Sequence, residues 1–261
     1  MNLETILYQL DGGVLTITLN RPESYNACNE QLTTDLHAAL KEAEKDANVR
    51  AIILTGAGRA FCSGQDLKEA PAPGSKRSLA ESLQRRYNPI IRRIVAMPKP
   101  IVAALNGVAA GAGCSLALAC DLRIAAEGAS LLQAFVNIGL VPDSGSSYFL
   151  TRMVGYSRAF EIATLGEKIP AQLALELGLV NRVVPANALM NEARALAERY
   201  AAGPTKAYGY IKKMLHRAEH TSLDDALDYE VFMQEAAGRT HDYGEGVQAF
   251  VEKRKAAFKG E

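Results

Sequence analysis

The chain has no tryptophan, and its four cysteines form no C-x-x-C pair. None of Cys28, Cys62, Cys114 and Cys120 has a histidine at zinc-site spacing, so no metal is expected. Scattered, unpaired cysteines fit a reducing compartment, and a cytoplasmic location is the expectation. Net charge is also lacking: 29 Lys and Arg stand against 29 Asp and Glu. Without a basic excess, neither nucleic acid nor an anionic membrane surface is an expected partner. The opening MNLETILYQLDGG has no basic segment followed by an apolar core, so no leader peptide is expected. Transmembrane-length apolar runs are missing too; the nearest, Ile101 to Cys120, is broken by Asn106 and several glycines. The only histidines, His37, His216, His220 and His241, lie away from the glycine-bearing loops described below, so a histidine base is not expected.

What the chain does have is enough apolar residues, 48% of 261, for one large core. Ile6–Leu10 and Val14–Leu19 alternate around Asp11-Gly12-Gly13, a hairpin pattern. Leu32, Leu36, Ala39, Leu40 and Ala43 recur at helical spacing between Asn29 and Asp46. A helix is predicted over Ser78–Val95, stopped by Met97-Pro98-Lys99-Pro100. Before it, Pro71, Pro73, Gly74 and Ser75 mark an exposed, mobile loop. Strands are predicted over Ala51–Thr55, Ile101–Leu105 and Asp121–Ala125, and a strand–strand–helix rhythm recurs roughly every fifty residues. After Asp143 the pattern turns helical, ending with segments at Leu189–Ala202, Thr205–Ala218, Leu223–Ala237 and Glu245–Phe258. The expected organisation is an α/β core over 1–190 and a helical region over 191–261.

Two glycine-bearing loops follow strongly apolar strands. The first runs through Ala57-Gly58-Arg59-Ala60-Phe61-Cys62-Ser63-Gly64-Gln65-Asp66-Leu67, the second through Gly107-Val108-Ala109-Ala110-Gly111-Ala112-Gly113. Neither is a nucleotide loop. The third glycine of a dinucleotide fingerprint would fall on Phe61, and no Gly-Lys-Ser/Thr follows Gly107. Small residues let a ligand approach the backbone, and a loop turning into a helix offers free N–H groups. Two such loops can converge on one oxygen, and Asp143 supplies a carboxylate on a third loop. Donors that hold an enolate oxygen, plus one carboxylate to move a proton, make a set for enolate chemistry. Asp143 also reads as the N-cap of a helix beginning near Ser146. A helix start would lower its pKa, while an apolar wall of Phe135, Val136 and Leu140 would raise it. Cys62, Cys114 and Ser115 are small neighbours of the loops with no base in sight, and read as packing.

These segments resemble the enoyl-CoA hydratase/isomerase (crotonase) family. The resemblance rests on Ala60–Leu67, on Pro98-Lys99-Pro100 through Gly113, and on Leu118-Ala119-Cys120-Asp121. Asn20-Arg21-Pro22, Ile138-Gly139-Leu140-Val141-Pro142 and Gly178-Leu179-Val180 extend it over nearly the whole chain. It implies a spiral of ββα turns, a helical C-terminal trimerisation region, and a homotrimer or homohexamer. An acyl-CoA thioester is the implied substrate, with coenzyme A as part of that substrate and no separate cofactor. The two oxyanion N–H groups would fall on Gln65 and Ala112. Ser63, Gly64, Asp66, Leu67, Gly111, Gly113 and Phe135 would line the substrate. The tail would supply Phe258 to stack on the adenine and Lys259 for phosphate, often across a subunit boundary.

The departures from the pattern narrow the expected reaction. Hydratases of this family hold water between two glutamates, and those positions carry Ser115 and Phe135 here. Asp143, directly after Pro142, resembles the isomerase branch instead. Dehalogenating members use an aspartate at this loop together with a tryptophan, which this chain lacks. The expected activity moves a double bond from the 3,4 to the 2,3 position of an enoyl thioester, or isomerises a ring-1,2-epoxyphenylacetyl thioester to an oxepin. A hydratase or lyase on the same scaffold is the alternative. A non-catalytic acyl-CoA-binding protein is another, but it would need no Asp143.

Overall fold

The computed structural model describes residues 3–69 and 78–261. The mobile loop expected at Pro71, Pro73, Gly74 and Ser75 lies outside the described residues. The hairpin forms as its pattern predicts: β1 (Ile6–Asp11) pairs antiparallel with β2 (Val14–Leu19). Gly12 and Gly13 turn it with φ of +55° and +80°, the consecutive left-handed pair a tight hairpin requires. Helix α1 (Glu30–Lys45) follows, its first turn closed by Asn29, whose side-chain oxygen accepts the Leu32 N–H at 2.9 Å.

Three strand pairs then build a spiral. They are β3 (Ala51–Gly56) with β4 (Ala60–Cys62), β5 (Ile101–Leu105) with β6 (Val108–Ala110), and β7 (Leu122–Ala126) with β8 (Ser130–Leu132). The first member of each pair enters one sheet and the second enters another, so each turn advances both sheets by one strand. With β9 (Lys168–Pro170) and β10 (Arg182–Val184), the sheet orders are β1-β2-β3-β5-β7-β10 and β4-β6-β8-β9. The turns begin at 51, 101 and 122, so the fifty-residue rhythm holds for one interval only. The next turn is shorter because one short helix, α4, bridges it.

The helix predicted over Ser78–Val95 is not continuous. Helix α2 (Leu79–Ser82) passes into a π-turn at Leu83–Tyr87 and then into α3 (Asn88–Ala96). Helix α4 (Ala112–Ala119) is buried along its whole length. A 3-10 turn at Ala134–Ile138 leads to α5 (Ser146–Val154) and α6 (Tyr156–Leu165), and α7 (Ala171–Glu176) precedes β10. Helix α8 (Leu189–Ala201) falls almost wholly past residue 190, yet buries Ala193, Ala197 and Ala201, small residues that let it sit closely on β3, β5 and β7.

Helices α9 (Thr205–Ala218), α10 (Leu223–Gly238) and α11 (His241–Val251) complete the chain. The segment predicted as helix over Glu245–Phe258 is therefore shifted. Thr240 caps the earlier start through the Tyr243 N–H, and Lys253, at φ +56°, turns the chain back. The buried Asp242 carboxylate then accepts the Lys259 and Gly260 N–H groups, both at 2.7 Å, and Glu245 accepts the Ala257 N–H. Carboxylate acceptors on α11 thus take the backbone donors that a longer helix would use. No helix among the described residues is long and apolar enough to cross a membrane.

Candidate functional site

The two glycine loops meet. A Cβ on Gly64, at φ +94°, would sit 2.7 Å from the Ala110 carbonyl and 3.4 Å from the Ala112 nitrogen. One on Gly113 would sit 2.2 Å from the Cys62 carbonyl. Only glycine permits this approach of the first loop to the start of α4. Cys28 brackets the Gln65 peptide: its N–H donates to the Gly64 carbonyl at 2.7 Å, and its carbonyl accepts the Asp66 N–H at 3.1 Å. The Gln65 N–H between them faces the other way and donates to nothing among the described residues. Ala112 opens α4 behind Gly111, at φ +50°, so its N–H has no carbonyl one turn back. Two backbone donors with no partner among the described residues therefore lie at the junction of the loops.

Asp143 reaches the same helix. Its main-chain carbonyl accepts from Ser115 Oγ, in the first turn of α4, at 3.1 Å. Ser115 Oγ lies 2.7 Å from Ser146 Oγ, and Gln133 Nε2 donates to Ser146 Oγ at 3.1 Å. Gln133, Ser146 and Ser115 are all buried. Gln133 Nε2 donates into this hydroxyl pair, and Ser115 Oγ also lies 3.2 Å from the Gly111 carbonyl, so the cluster ties the Asp143 backbone to the start of α4. The Asp143 carboxylate does not cap α5. Gly145 is at that position, and Ser146 donates its N–H to the Asp143 main-chain carbonyl. The left-handed Ser144 (φ +52°) and Gly145 (φ +83°) lift the carboxylate away from the helix start. Burial raises the Asp143 pKa above the ordinary aspartate value, opposed by the Ser144 hydroxyl, which donates to Oδ1 at 2.8 Å. Burial thus outweighs the Ser144 hydrogen bond.

The family model for enoyl-CoA hydratase/isomerase matches residues 9–261. This chain belongs to the enoyl-CoA hydratase/isomerase family. It is 44% identical to 1,2-epoxyphenylacetyl-CoA isomerase of Escherichia coli, covering 99% of each chain. It is equally 44% identical to a probable enoyl-CoA hydratase of Rhodobacter capsulatus, over the full length of both. The solved enoyl-CoA hydratase of Bacillus anthracis superposes with a TM-score of 0.93 at 36% identity, covering 99% of this chain and 100% of that one. The crotonase spiral expected from the sequence is the observed fold.

Other residues singled out in this family member have varied surroundings. Phe135 is buried, its ring edge 4.0 Å from where a Gly111 Cβ would be. Leu67 is exposed, and Val136, Ile138, Leu140 and Val141 expose a further apolar lip just before Asp143. Ser63 braces the first loop, its N–H on the Tyr25 carbonyl at 3.0 Å. Asp66, expected to line the substrate, is held from within the chain. It is buried, and its carboxylate is committed to Arg21 at 3.0 Å and to the Lys68 N–H at 3.1 Å.

Phe258 and Lys259 are not brought to Asp143 within one chain. The Phe258 carbonyl faces Arg50, which leads into β3, whereas the glycine loop leaves the other end of that six-residue strand, about 20 Å away. A cavity of about 390 Å³ beside Asp121, Tyr148, Lys212 and His216 touches neither Asp143 nor the two free N–H groups. Sequence reasoning gave no role to Gln133 or Ser144, and nothing in their spacing marks them. A buried polar residue in an apolar stretch is the sole hint at Gln133.

Proposed function

We propose that this protein is an acyl-CoA isomerase that works through a thioester enolate. The Gln65 and Ala112 N–H groups hold the thioester oxygen. Ionised Asp143 removes a proton from C2 of a 3-enoyl-CoA, and the electron pair delocalises onto that oxygen. The same carboxyl returns the proton at C4, leaving the double bond between C2 and C3. Nothing is added, and the formal oxidation at C2 is balanced by the reduction at C4, so one carboxylate is sufficient and no redox cofactor is needed. The observation that carries this reading is Asp143, a carboxylate held against the start of α4 whose pKa burial raises. Ser115 and Phe135 occupy the positions where the family resemblance places the hydratase glutamates, and neither offers a carboxylate. The name of the Escherichia coli relative supports ring-1,2-epoxyphenylacetyl-CoA as a further substrate.

We also propose that the chain assembles as a trimer or hexamer. Helix α10 buries none of its residues, while Leu223, Leu227, Val231 and Phe232 are exposed along it. Phe258 and Lys259 would then serve a neighbouring subunit's CoA. The deciding experiment offers 3-enoyl-CoA and 2-enoyl-CoA in separate incubations. Migration of the double bond with little hydration supports the isomerase; 3-hydroxyacyl-CoA as the main product would sink it.

A further inference from the structure

Tyr87 closes the π-turn, and its hydroxyl donates to Gln65 Oε1. The same hydroxyl lies 3.5 Å from the Cys28 carbonyl, on the residue that brackets the Gln65 peptide. The other end of the Gln65 amide turns back, Nε2 donating to the Asp66 carbonyl at 3.3 Å. The Gln65 side chain is therefore tied at both ends, once to its own loop and once to a helix. Tyr87 is 4% exposed, whereas Leu83, Gln84, Arg85 and Arg86 before it are half-buried or exposed. The wider winding of a π-turn shifts helical register, and such turns concentrate at functional sites. Here the shift turns one phenol inward onto one loop. Burial drives the phenol pKa far up, so the group stays a proton donor.

We propose that Tyr87 is a positioning residue: by holding the Gln65 side chain, it fixes the direction of the Gln65 backbone N–H toward the substrate oxygen. This rests on the reading of Gln65 and Ala112 as oxyanion donors. A buried phenol needs an acceptor in any fold. The Cys28 carbonyl, at 3.5 Å, is a marginal one, and the amide of the loop residue itself is the main one.

The test uses the full-length protein and cinnamoyl-CoA, whose conjugated thioester absorbs at longer wavelength when its carbonyl accepts hydrogen bonds. Wild type is expected to red-shift the bound thioester and to exchange the α-protons of butyryl-CoA in deuterated water. Tyr87→Phe is expected to shrink the red shift and lower kcat for exchange about tenfold to hundredfold, with KM little changed. Gln65→Met, which keeps the backbone N–H and removes Oε1, is expected to do the same. The double variant should be no worse than either single. A Tyr87→Phe protein with wild-type red shift and kcat overturns the proposal. So does a loss confined to KM, or a double variant whose loss is the product of the two singles. If Tyr87→Phe fails to fold by circular dichroism, Gln65→Met alone decides, since it leaves the buried ring in place. A wild type that neither exchanges nor red-shifts overturns the oxyanion reading, and this proposal with it. A wild-type red shift that survives both substitutions overturns this proposal alone.

Discussion

Ser115 Oγ donates to the main-chain carbonyl of Asp143 at 3.1 Å. The residue at a position where hydratases are expected to carry a carboxylate is here a strut beneath Asp143. A glutamate in its place would have to sit among Gly111, Ser146 and Asp143, in a site with no exposure at all.

Ser115→Ala removes that strut and leaves the buried Ser146 hydroxyl with the Gln133 amide as its remaining partner. The expected cost is about 1–3 kcal/mol of folding stability. Urea unfolding checks it, together with a fall in kcat larger than any change in KM, because Asp143 is loosened and substrate contacts are kept.

Asp143→Asn should lower α-proton exchange and isomerisation by about a hundredfold or more, with acyl-CoA affinity nearly unchanged. Single-turnover exchange in deuterated water, alongside calorimetric binding of butyryl-CoA, separates the two quantities. Full activity in the variant would move the base to another residue.

The raised pKa of Asp143 also predicts pH dependence with a definite sign. Activity needs the ionised form, so kcat/KM should rise with pH through a midpoint above the ordinary aspartate value. Ser144→Ala removes the hydroxyl that lowers this pKa, and should move the midpoint higher still. A raised folded-state pKa means that ionising Asp143 costs folding free energy above that pH. Asp143→Asn should therefore match or exceed wild type in Tm near neutrality, with any advantage fading as pH falls through the raised pKa.

Ala112→Pro removes one of the two free N–H groups. Ala112 is the first residue of α4, where proline is tolerated, and glycine precedes it. Folding should persist while kcat falls about 100- to 1000-fold. Near-normal turnover by the folded variant would exclude this N–H from the reaction.

Sedimentation velocity should show a trimer or hexamer. Replacing Val231 and Phe232, exposed on α10, with glutamate should push the protein toward smaller species. A monomeric wild type at micromolar concentration would contradict the assembly.

Much of this molecule is legible in its order of residues. Local chemistry places the Gly12-Gly13 hairpin, the Asn29 cap and the buried strands, because turn geometry, capping and apolar periodicity act over a few residues. The motifs around Gly64, Gly111 and Asp143 mark the candidate site for the same reason. Contacts between segments distant in sequence decided the rest. Whether Asp143 caps a helix or projects as a raised carboxylate depends on Ser144 and Gly145 adopting left-handed angles under the hold of Ser115, Ser146 and Gln133. Phe258 was set at the far end of β3 by Asp242 and Arg50, acceptor and donor that no local pattern connects to it. The tie from Tyr87 to Gln65 depends on a change of helical winding that hydrophobic spacing does not encode. Sequence pattern determines which face of each element is buried; only packing in three dimensions settles which polar atoms meet once it is.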